Sequence, residues 1–190
     1  MRILNKDEYR MNKSRIHKEI LEGAVFIHPT DTIYGIGCDA TNPEAVKKVR
    51  EAKDRATMPF SVIAPSSKWV RENCEITPAV EKWINKLPGP YTIIVKLKNM
   101  KAVAPEAIPG KTTIGIRRPD HWISELATEL NKPIITTSAN ITGQAFMTSM
   151  ETLHPDIKKK MTFIFYEGEK NGRPSSIVDL TVGEGEIIER

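Results

Sequence analysis

A hydroxyl- and glycine-rich stretch over residues 29–40, P-T-D-T-I-Y-G-I-G-C-D-A, holds the residue types best suited to chemistry. The apolar run 24–27 precedes it and predicts a buried strand. Asn42 and Pro43 then predict a helix start, because Asn caps helices and proline fits the first turn. A strand, a polar loop and a helix in this order are typical of ligand sites in α/β proteins. Taken alone, the loop is equally compatible with a purely structural connection.

The same stretch contains a match to a dinucleotide fingerprint, because Gly35, Gly37 and Ala40 fit the pattern G-x-G-x-x-A. The context is wrong for that motif. Residues 29–34 separate the glycines from the strand, whereas the motif needs them directly after it. The nearest acids, Glu51 and Asp54, fall on the following predicted helix and not at the end of a strand. We therefore predict no nicotinamide site.

Other polar side chains stand at the ends of predicted elements and suggest one shared cleft. Lys53 and Arg55 close the predicted helix 43–54, and Arg117 ends a predicted strand. Lysine and arginine together neutralise a polyanion, and arginine adds a forked pair of donors. Hydroxyls and amides orient a ligand without adding charge. The candidates of this second kind are Thr30, Thr32, Thr113, Thr136, Ser138, Asn140, Ser175 and Ser176.

The cations also have simpler explanations. Taken alone, Lys53 and Arg55 more often form a solvated helix end that complements the helix dipole. Arg117 is harder to explain in this way, because an arginine that faces inward from an apolar strand needs a partner. The carboxylate of a ligand would supply one.

Several chemistries are disfavoured by what the motifs lack. Ser138 has no histidine at a recognised triad spacing, and neither G-x-S-x-G nor a phosphate-binding G-x-x-x-x-G-K-[ST] occurs. His28 fits a structural role better than a catalytic one. The two cysteines, Cys38 and Cys74, form no C-x-x-C motif, and no cluster of ligands has zinc spacing. We predict neither nucleophilic catalysis nor a metal site built by the protein.

Composition limits the class of protein. A chain of 190 residues with 39% apolar and 27% charged residues suits one soluble domain with a real core. A net charge of +4 suits anionic ligands such as nucleotides or RNA. Charged residues follow Met1 too soon for a signal peptide, and no apolar run approaches the roughly 20 residues of a membrane helix. We expect a cytoplasmic protein without a membrane segment.

Hydrophobic periodicity predicts interleaved helices and strands, and hence a mixed, twisted α/β sheet. Asp120 is the expected N-cap of one helix. The predicted helices span residues 6–22, 43–54, 66–73, 77–86, 121–130 and 149–160. The predicted strands span residues 24–28, 60–64, 91–97, 112–117, 134–137, 162–166, 175–180 and 186–190.

Six stretches taken together resemble the motifs of the YrdC-like family, in that family's order. Any one of them is weak evidence, but all six in order are highly specific, and the resemblance runs from about residue 15 to the C-terminus. They are 29–40, 53–55 (K-D-R), 88–92 (P-G-P-Y-T), 113–121 (T-I-G-I-R-R-P-D-H), 137–143 (T-S-A-N-I-T-G) and 175–180 (S-S-I-V-D-L).

The resemblance implies both a fold and an activity. The family fold is a twisted open α/β sheet with a large, positively charged concave face, here as one YrdC-like domain over residues 1–190. Its best-known members join L-threonine, bicarbonate and ATP into threonylcarbamoyl-adenylate and pyrophosphate. A downstream transferase complex then modifies tRNA at N6 of A37. Mg²⁺ would arrive on the ATP triphosphate and not in a protein cage.

The resemblance also implies residue roles. The group expected at threonine and its carbamate is Thr32, Arg117, Thr136 and Ser175, with Arg117 on the carboxylate. The group expected at ATP is Lys53, Arg55, Thr113, Ser138, Asn140 and Arg190, with Lys53 and Arg55 as the catalytic cations. One departure stands in the motif after Lys53, where Met58 replaces the usual basic or amide residue. That replacement puts one ATP contact in question.

Three alternatives stay open on sequence alone. The concave face could bind double-stranded RNA or tRNA, which would make binding steeply salt-dependent. A related branch that makes carbamoyl-adenylate for hydrogenase maturation usually sits in a much longer chain with additional parts. The third alternative is a divergent YrdC-like paralogue, which the Met58 departure keeps open.

Overall fold

A computed structural model describes residues 1–188 of this chain. Its strands are β1 (Arg2–Leu4), β2 (Phe26–His28), β3 (Gly35–Gly37), β4 (Ser61–Ile63), β5 (Tyr91–Lys96), β6 (Thr113–Arg117), β7 (Ile134–Ser138), β8 (Phe163–Phe165), β9 (Ser176–Asp179) and β10 (Glu186–Ile188). Its helices are α1 (Lys6–Met11), α2 (Lys13–Leu21), α3 (Pro43–Lys53), α4 (Ser67–Asn73), α5 (Pro78–Ile84), α6 (Ile123–Leu130) and α7 (Pro155–Lys160), with short 3₁₀ turns at Met100–Ala102 and Pro105–Ala107.

All described strands join one mixed sheet in the order β1-β8-β2-β3-β7-β4-β6-β5-β9-β10. The sheet contains both parallel pairs, such as β4 with β6, and antiparallel pairs, such as β4 with β7. The predicted mixed α/β sheet flanked by helices is therefore confirmed. None of the helices in the described part of the chain is long and apolar enough to cross a membrane.

Each sheet face buries its own core, because successive strand residues point to opposite faces. On β7, Ile134 packs into the core that holds α1, α2 and α6. The next residue, Ile135, packs into the larger core that holds α3, α4, α5 and α7. Helices thus lie on both faces of the sheet.

The 29–40 stretch, predicted as a loop, contains the strand β3. This strand pairs with β2 on one side and β7 on the other. Propensity misses it because glycine is a poor strand former. Glycine is needed because a Cβ at Gly37 would lie 2.9 Å from Cδ2 of His28. The short edge strand β1 is likewise not among the predicted strands.

Three predicted helices have different bounds for local reasons. The predicted helix 6–22 breaks at Asn12, whose side-chain amide donates to the Glu8 carbonyl at 2.8 Å and competes with the helical pattern. The predicted helix 149–160 begins only at Pro155, since proline holds His154 in extended geometry. The expected Asp120 cap is wrong: the helix follows Trp122 without a side-chain cap.

Candidate functional site

A polar cleft lies on the sheet face that α1, α2 and α6 cover only in part. Along β7 the residues on this face change from Ile134 to Thr136 and Ser138, and on the neighbouring β4 Ser61 pairs with Thr136. The apolar ends of these strands lie under the helices, and the polar ends form the cleft floor. Alternation along the strands therefore places the hydroxyls on one open surface.

The floor of the cleft depends on a glycine in β6. A Cβ at Gly115 would lie 2.3 Å from Oγ of Ser61 and 3.1 Å from Cγ2 of Thr92. The cleft encloses a cavity of about 140 Å³. The residues that line it are Thr30, Ile33, Tyr34, Gly35, Arg55, Pro59, Phe60, Ser61, Thr92, Arg117, Thr136, Thr137, Ser138, Phe146, Pro174 and Ser175.

Arg117 is the cation of the cleft floor, and it forms an ion pair with a carboxylate of the protein itself. Its side chain is only 7% exposed, and its Nη2 donates to Oδ1 of Asp31 at 2.8 Å. The same nitrogen lies 3.3 Å from Oγ1 of Thr32. The other oxygen of Asp31 accepts from the backbone N–H of Asp120 at 3.0 Å. Buried arginine needs such a partner, and Asp31 is the one that the sequence reading did not identify.

Lys53 lies behind the cleft wall and is only 1% exposed. Its ammonium donates to the carbonyls of Ser138 at 2.5 Å and Asn140 at 2.8 Å, and to Oδ1 of Asn140 at 3.1 Å. These three acceptors match the three N–H bonds of a charged ammonium. Burial, with the nearby charge of Arg55, lowers the pKa of Lys53 to about 7. A solvated helix end is therefore wrong as an explanation for Lys53.

Arg55 reaches the cleft from the loop 54–59 between α3 and β4. Asp54, which follows α3, adopts the left-handed conformation (φ 50°) and turns the chain out of the helix. The guanidinium of Arg55 lies over the ring of Phe60 at 5.1 Å and donates to the Pro59 carbonyl at 2.7 Å. The loop thus places a second cation on the cleft wall.

A segment that we call the strap, residues 166–175, crosses the cleft between β8 and β9. It packs on the 29–40 loop so closely that a Cβ at Gly172 would lie 2.2 Å from the Thr32 carbonyl oxygen. The phenol of Tyr34 donates to the Gly168 carbonyl at 2.7 Å. At the far end, Oγ of Ser175 lies 2.7 Å from Oγ1 of Thr92 on β5. The strap therefore delivers Ser175 to the cleft.

The start of the strap is fixed by a carboxylate. Glu167 accepts from Nε1 of Trp122 at 3.1 Å and from Lys170 at 2.6 Å, and it lies 2.9 Å from Nε2 of His121. Burial raises the pKa of Glu167, but the hydrogen bonds from these three donors outweigh it and lower the pKa to about 2. Glu167 is therefore ionised at neutral pH and keeps the strap attached to the chain after β6.

His28 is fully buried beneath the 29–40 loop, as a structural residue would be. Its Nδ1 lies 3.2 Å from the Pro29 carbonyl oxygen. Burial lowers the pKa of His28 to about 4, and the charge of Arg117 acts in the same direction. The imidazole is therefore neutral at physiological pH and fills the space that Gly35 and Gly37 leave.

The structure brings most of the predicted site residues together. Arg55, Arg117, Thr136, Ser138 and Ser175 line the cleft. Three others lie directly behind these: Thr32 beside Arg117, and Lys53 and Asn140 beside Ser138. Thr113 lies on the cleft face of β6, two residues before Gly115, but outside the lining residues. Arg190 lies outside the described residues, so its predicted role stays a prediction.

Other residues of the site went unrecognised in the sequence. The sequence does offer an indication that Asp31 belongs to the site, because it is the acidic residue within the polar stretch P-T-D-T. Thr92 is the fifth and last residue of the P-G-P-Y-T stretch, and its contact with Ser175 identifies it as a residue of the site. Tyr34 and Phe146 line the cleft without any motif chemistry of their own.

The charge of the cleft is more balanced than the resemblance implies. Among the described lining residues, the cations are Arg55 and Arg117, and Arg117 is paired with Asp31. A large basic concave face stays a prediction. Within residues 1–188, no group of three or more His, Cys, Asp or Glu side chains is placed to hold a metal ion.

Comparison with protein families identifies this architecture. The Sua5/YciO/YrdC family model, described as telomere recombination, matches residues 18–190. A Methanocaldococcus jannaschii relative is 35% identical, over 93% of this chain and 84% of its own length. A Vibrio campbellii relative named threonylcarbamoyl-AMP synthase is 29% identical, over 91% of this chain and 96% of its own length.

Solved structures agree with this comparison. Pyrococcus abyssi Sua5 in complex with L-threonine superposes with a TM-score of 0.83 at 28% identity, covering 98% of this chain. This chain spans only 55% of that structure's length. Escherichia coli YciO superposes with the same TM-score of 0.83 over 93% of its own length, but at 21% identity it supports the fold alone.

Proposed function

This chain belongs to the Sua5/YciO/YrdC family, and on that basis we propose that it is a threonylcarbamoyl-AMP synthase. The observation that supports this proposal most directly is the cleft itself. Two arginines, one from the α3–β4 loop and one from β6, converge there on a floor of hydroxyls. Such a surface suits a substrate with a carboxylate and a second substrate with a polyphosphate.

The proposed amino-acid subsite is the Arg117 end of the cleft. A guanidinium binds a carboxylate in forked geometry, so Arg117 would hold the carboxylate of L-threonine beside Asp31. Thr32, Thr136 and Ser175 surround that point with hydroxyls. The P. abyssi structure with L-threonine supports an amino-acid ligand for a relative of this fold.

The proposed nucleotide subsite is the Arg55 end. Arg55 and Ser138 line it, with Lys53 and Asn140 directly behind and Thr113 further along β6. Arg190 completes this proposed set. The cations would balance the triphosphate, and any Mg²⁺ would come with the ATP. The chain would thus be a nucleotidyltransferase.

The proposed reaction balances with the three substrates alone. The amine of threonine condenses with bicarbonate to give a carbamate and water. A carbamate oxygen then bonds to the α-phosphorus of ATP, and the bond from that phosphorus to pyrophosphate breaks. Nucleotidyl transfer of this kind depends mainly on positioning and charge neutralisation, so no nucleophilic side chain is required.

Pyrophosphate release tests the proposal. The purified chain is incubated with ATP, Mg²⁺ and bicarbonate, with and without L-threonine. Release that requires both threonine and bicarbonate is the expected result. Release without threonine would indicate carbamoyl-adenylate synthesis or ATP hydrolysis, and no release would favour an RNA-binding or divergent paralogue.

The proposal also covers the fate of the product and the binding of RNA. The threonylcarbamoyl group would pass to a downstream transferase for N6-threonylcarbamoyl modification of A37 in tRNA, in the cytoplasm. Direct binding of tRNA or double-stranded RNA is a separate prediction. A titration of RNA at two salt concentrations tests it, because contacts to phosphates weaken steeply as salt rises.

A further inference from the structure

Arg50, on the last full turn of α3, makes a set of contacts that the resemblance does not account for. Its Nη1 donates to the carbonyls of Arg55 at 3.0 Å, Ala56 at 3.2 Å and Met58 at 3.1 Å. Its other nitrogens donate to a second segment: Nε to the Glu106 carbonyl at 2.6 Å and Nη2 to the Ala107 carbonyl at 3.4 Å. One guanidinium thus joins two segments that are distant in sequence.

These contacts give the loop 54–59 an internal anchor. Backbone carbonyls outside helices and strands need donors, and here one side chain supplies them for three carbonyls of the loop. The guanidinium also lies over the ring of Phe60 at 4.4 Å. The backbone adds a bond from Phe60 N–H to the Ala107 carbonyl at 2.9 Å. The loop is therefore held from the side opposite the cleft.

The anchor matters because the middle of this loop is exposed. Ala56, Thr57 and Met58 are exposed, and the Met58 side chain is the departure noted in the sequence. With the loop carbonyls turned toward Arg50, the Arg55 side chain extends into the cleft. Arg50 itself is outside the lining residues, so any effect on a ligand must act through the loop.

We propose that Arg50 is a positioning residue that fixes Arg55 for the triphosphate of the nucleotide. The identity of the nucleotide rests on the proposed function, but the anchoring of the loop does not. A fixed loop lowers the ordering cost of binding, because Arg55 is already in place before the ligand arrives. In this chain, Arg50 would compensate for the polar contact that Met58 cannot make.

Three variants test the proposal. Arg50→Met keeps the aliphatic packing but removes every donor, and Arg50→Lys keeps the charge but offers only one nitrogen. Lys47→Met, one turn earlier on α3, removes the same charge from an exposed side chain that pairs with the exposed Glu44 and the partly buried Glu106. It is the matched control for the loss of charge.

The first measurement is ATP affinity and steady-state kinetics. We expect Arg50→Met to raise the KM for ATP by about tenfold, with the KM for threonine within about twofold of the parent chain, because a displaced Arg55 weakens phosphate contacts only. Arg50→Lys should be impaired almost as much, and Lys47→Met should match the parent. Unchanged ATP affinity in both Arg50 variants would overturn the proposal.

The second measurement needs no catalysis. Trypsin cleaves after Arg55, and a loop released from Arg50 should be cut there about tenfold faster in Arg50→Lys, since cleavage requires local opening. The melting temperature should fall only slightly. A cleavage rate equal to that of the parent chain would contradict the anchor, whatever the outcome for pyrophosphate release. Absence of pyrophosphate release from the parent chain would instead contradict the proposed function.

Discussion

At the scale of single residues, the site is set by how two cations are paired. Arg117 has an internal carboxylate partner in Asp31, whereas the acceptors of the Lys53 ammonium within residues 1–188 are neutral oxygens. The first arrangement keeps the guanidinium charged and oriented. The second leaves the charged form of Lys53 poorly solvated, which lowers its pKa. A ligand in the cleft therefore meets Arg117 with its charge already paired, whereas it can act on the charge of Lys53 only from across the cleft wall.

We predict that Arg117→Lys raises the KM for threonine by about 10- to 100-fold, because a charged hydrogen bond contributes about 1.5–3 kcal/mol. The KM for ATP should stay within about twofold. Steady-state kinetics measures both values, and Lys96→Ala, an exposed lysine on the neighbouring β5, is the control. A variant with unchanged selectivity for threonine would refute the assigned role of Arg117.

We predict that ATP binding above pH 7 takes up a proton at Lys53. Its pKa of about 7 lies below the ordinary value, so the free protein loses this charge as the pH rises through 7. The triphosphate favours the charged form, so ATP affinity should fall with rising pH by at most about tenfold per unit. Calorimetry at pH 8 in two buffers of different ionisation enthalpy measures the uptake.

Lys53→Met is the control for that experiment, because methionine has a similar volume and does not titrate. Its proton uptake at pH 8 should vanish, and its ATP affinity should be weaker and nearly independent of pH. Equal proton uptake in the variant and the parent chain would assign the titration to another group.

At the scale of elements, close backbone contacts decide where the site forms. The strap lies against the 29–40 loop at Gly172, and β3 lies against His28 at Gly35 and Gly37. Neither contact leaves room for a side chain. Residue identity at these glycines therefore controls the position of whole segments, and through them the positions of Thr32 and Ser175.

We predict that Gly172→Ala lowers the free energy of unfolding by about 1–3 kcal/mol, a typical cost of overpacking. It should also raise the KM for threonine, because the new Cβ would push the strap away from Thr32. Thermal denaturation and kinetics measure the two effects. Gly89→Ala, where a Cβ would lie no closer than 3.5 Å to another atom, is the matched control. Equal stability of the two variants would mean that the contact at Gly172 relaxes without cost.

At the scale of the whole molecule, two cores enclose the sheet and bury ionisable groups within it. His28 lies on the face shared with α1, α2 and α6, between Phe26 and the cleft. Its burial makes the neutral imidazole part of the folded state. Acid must therefore act on the fold as well as on the site.

We predict that His28 causes a loss of stability as the pH falls. Its pKa is about 4 when folded and about 6.5 when unfolded, so its contribution is complete above pH 6.5 and is lost as the pH falls from 6.5 to 4. Between pH 7.5 and pH 5 the loss is about 2 kcal/mol by the same linkage. Denaturant titrations at both pH values measure the free energy of unfolding. The loss that His28 causes should be absent in His28→Gln. A parallel pH dependence in both proteins would show that other groups cause the loss.

The sequence by itself determined the fold class, the cap of α3 at Asn42, and most of the residues that meet in the cleft. These follow from local rules: periodicity, capping chemistry and residue types at strand ends. The single domain over residues 1–190 and the roles of the site residues stay predictions.

Only the tertiary structure decided the partners of those residues. β3 (Gly35–Gly37) forms because β2 and β7 both pair with it. The sequence of these three residues does not indicate that pairing. Asp31 meets Arg117, and Arg50 meets the carbonyl of Glu106, through contacts between segments far apart in the chain. Pairing of this kind depends on the packing of the whole sheet, whereas local propensity depends only on neighbours in sequence.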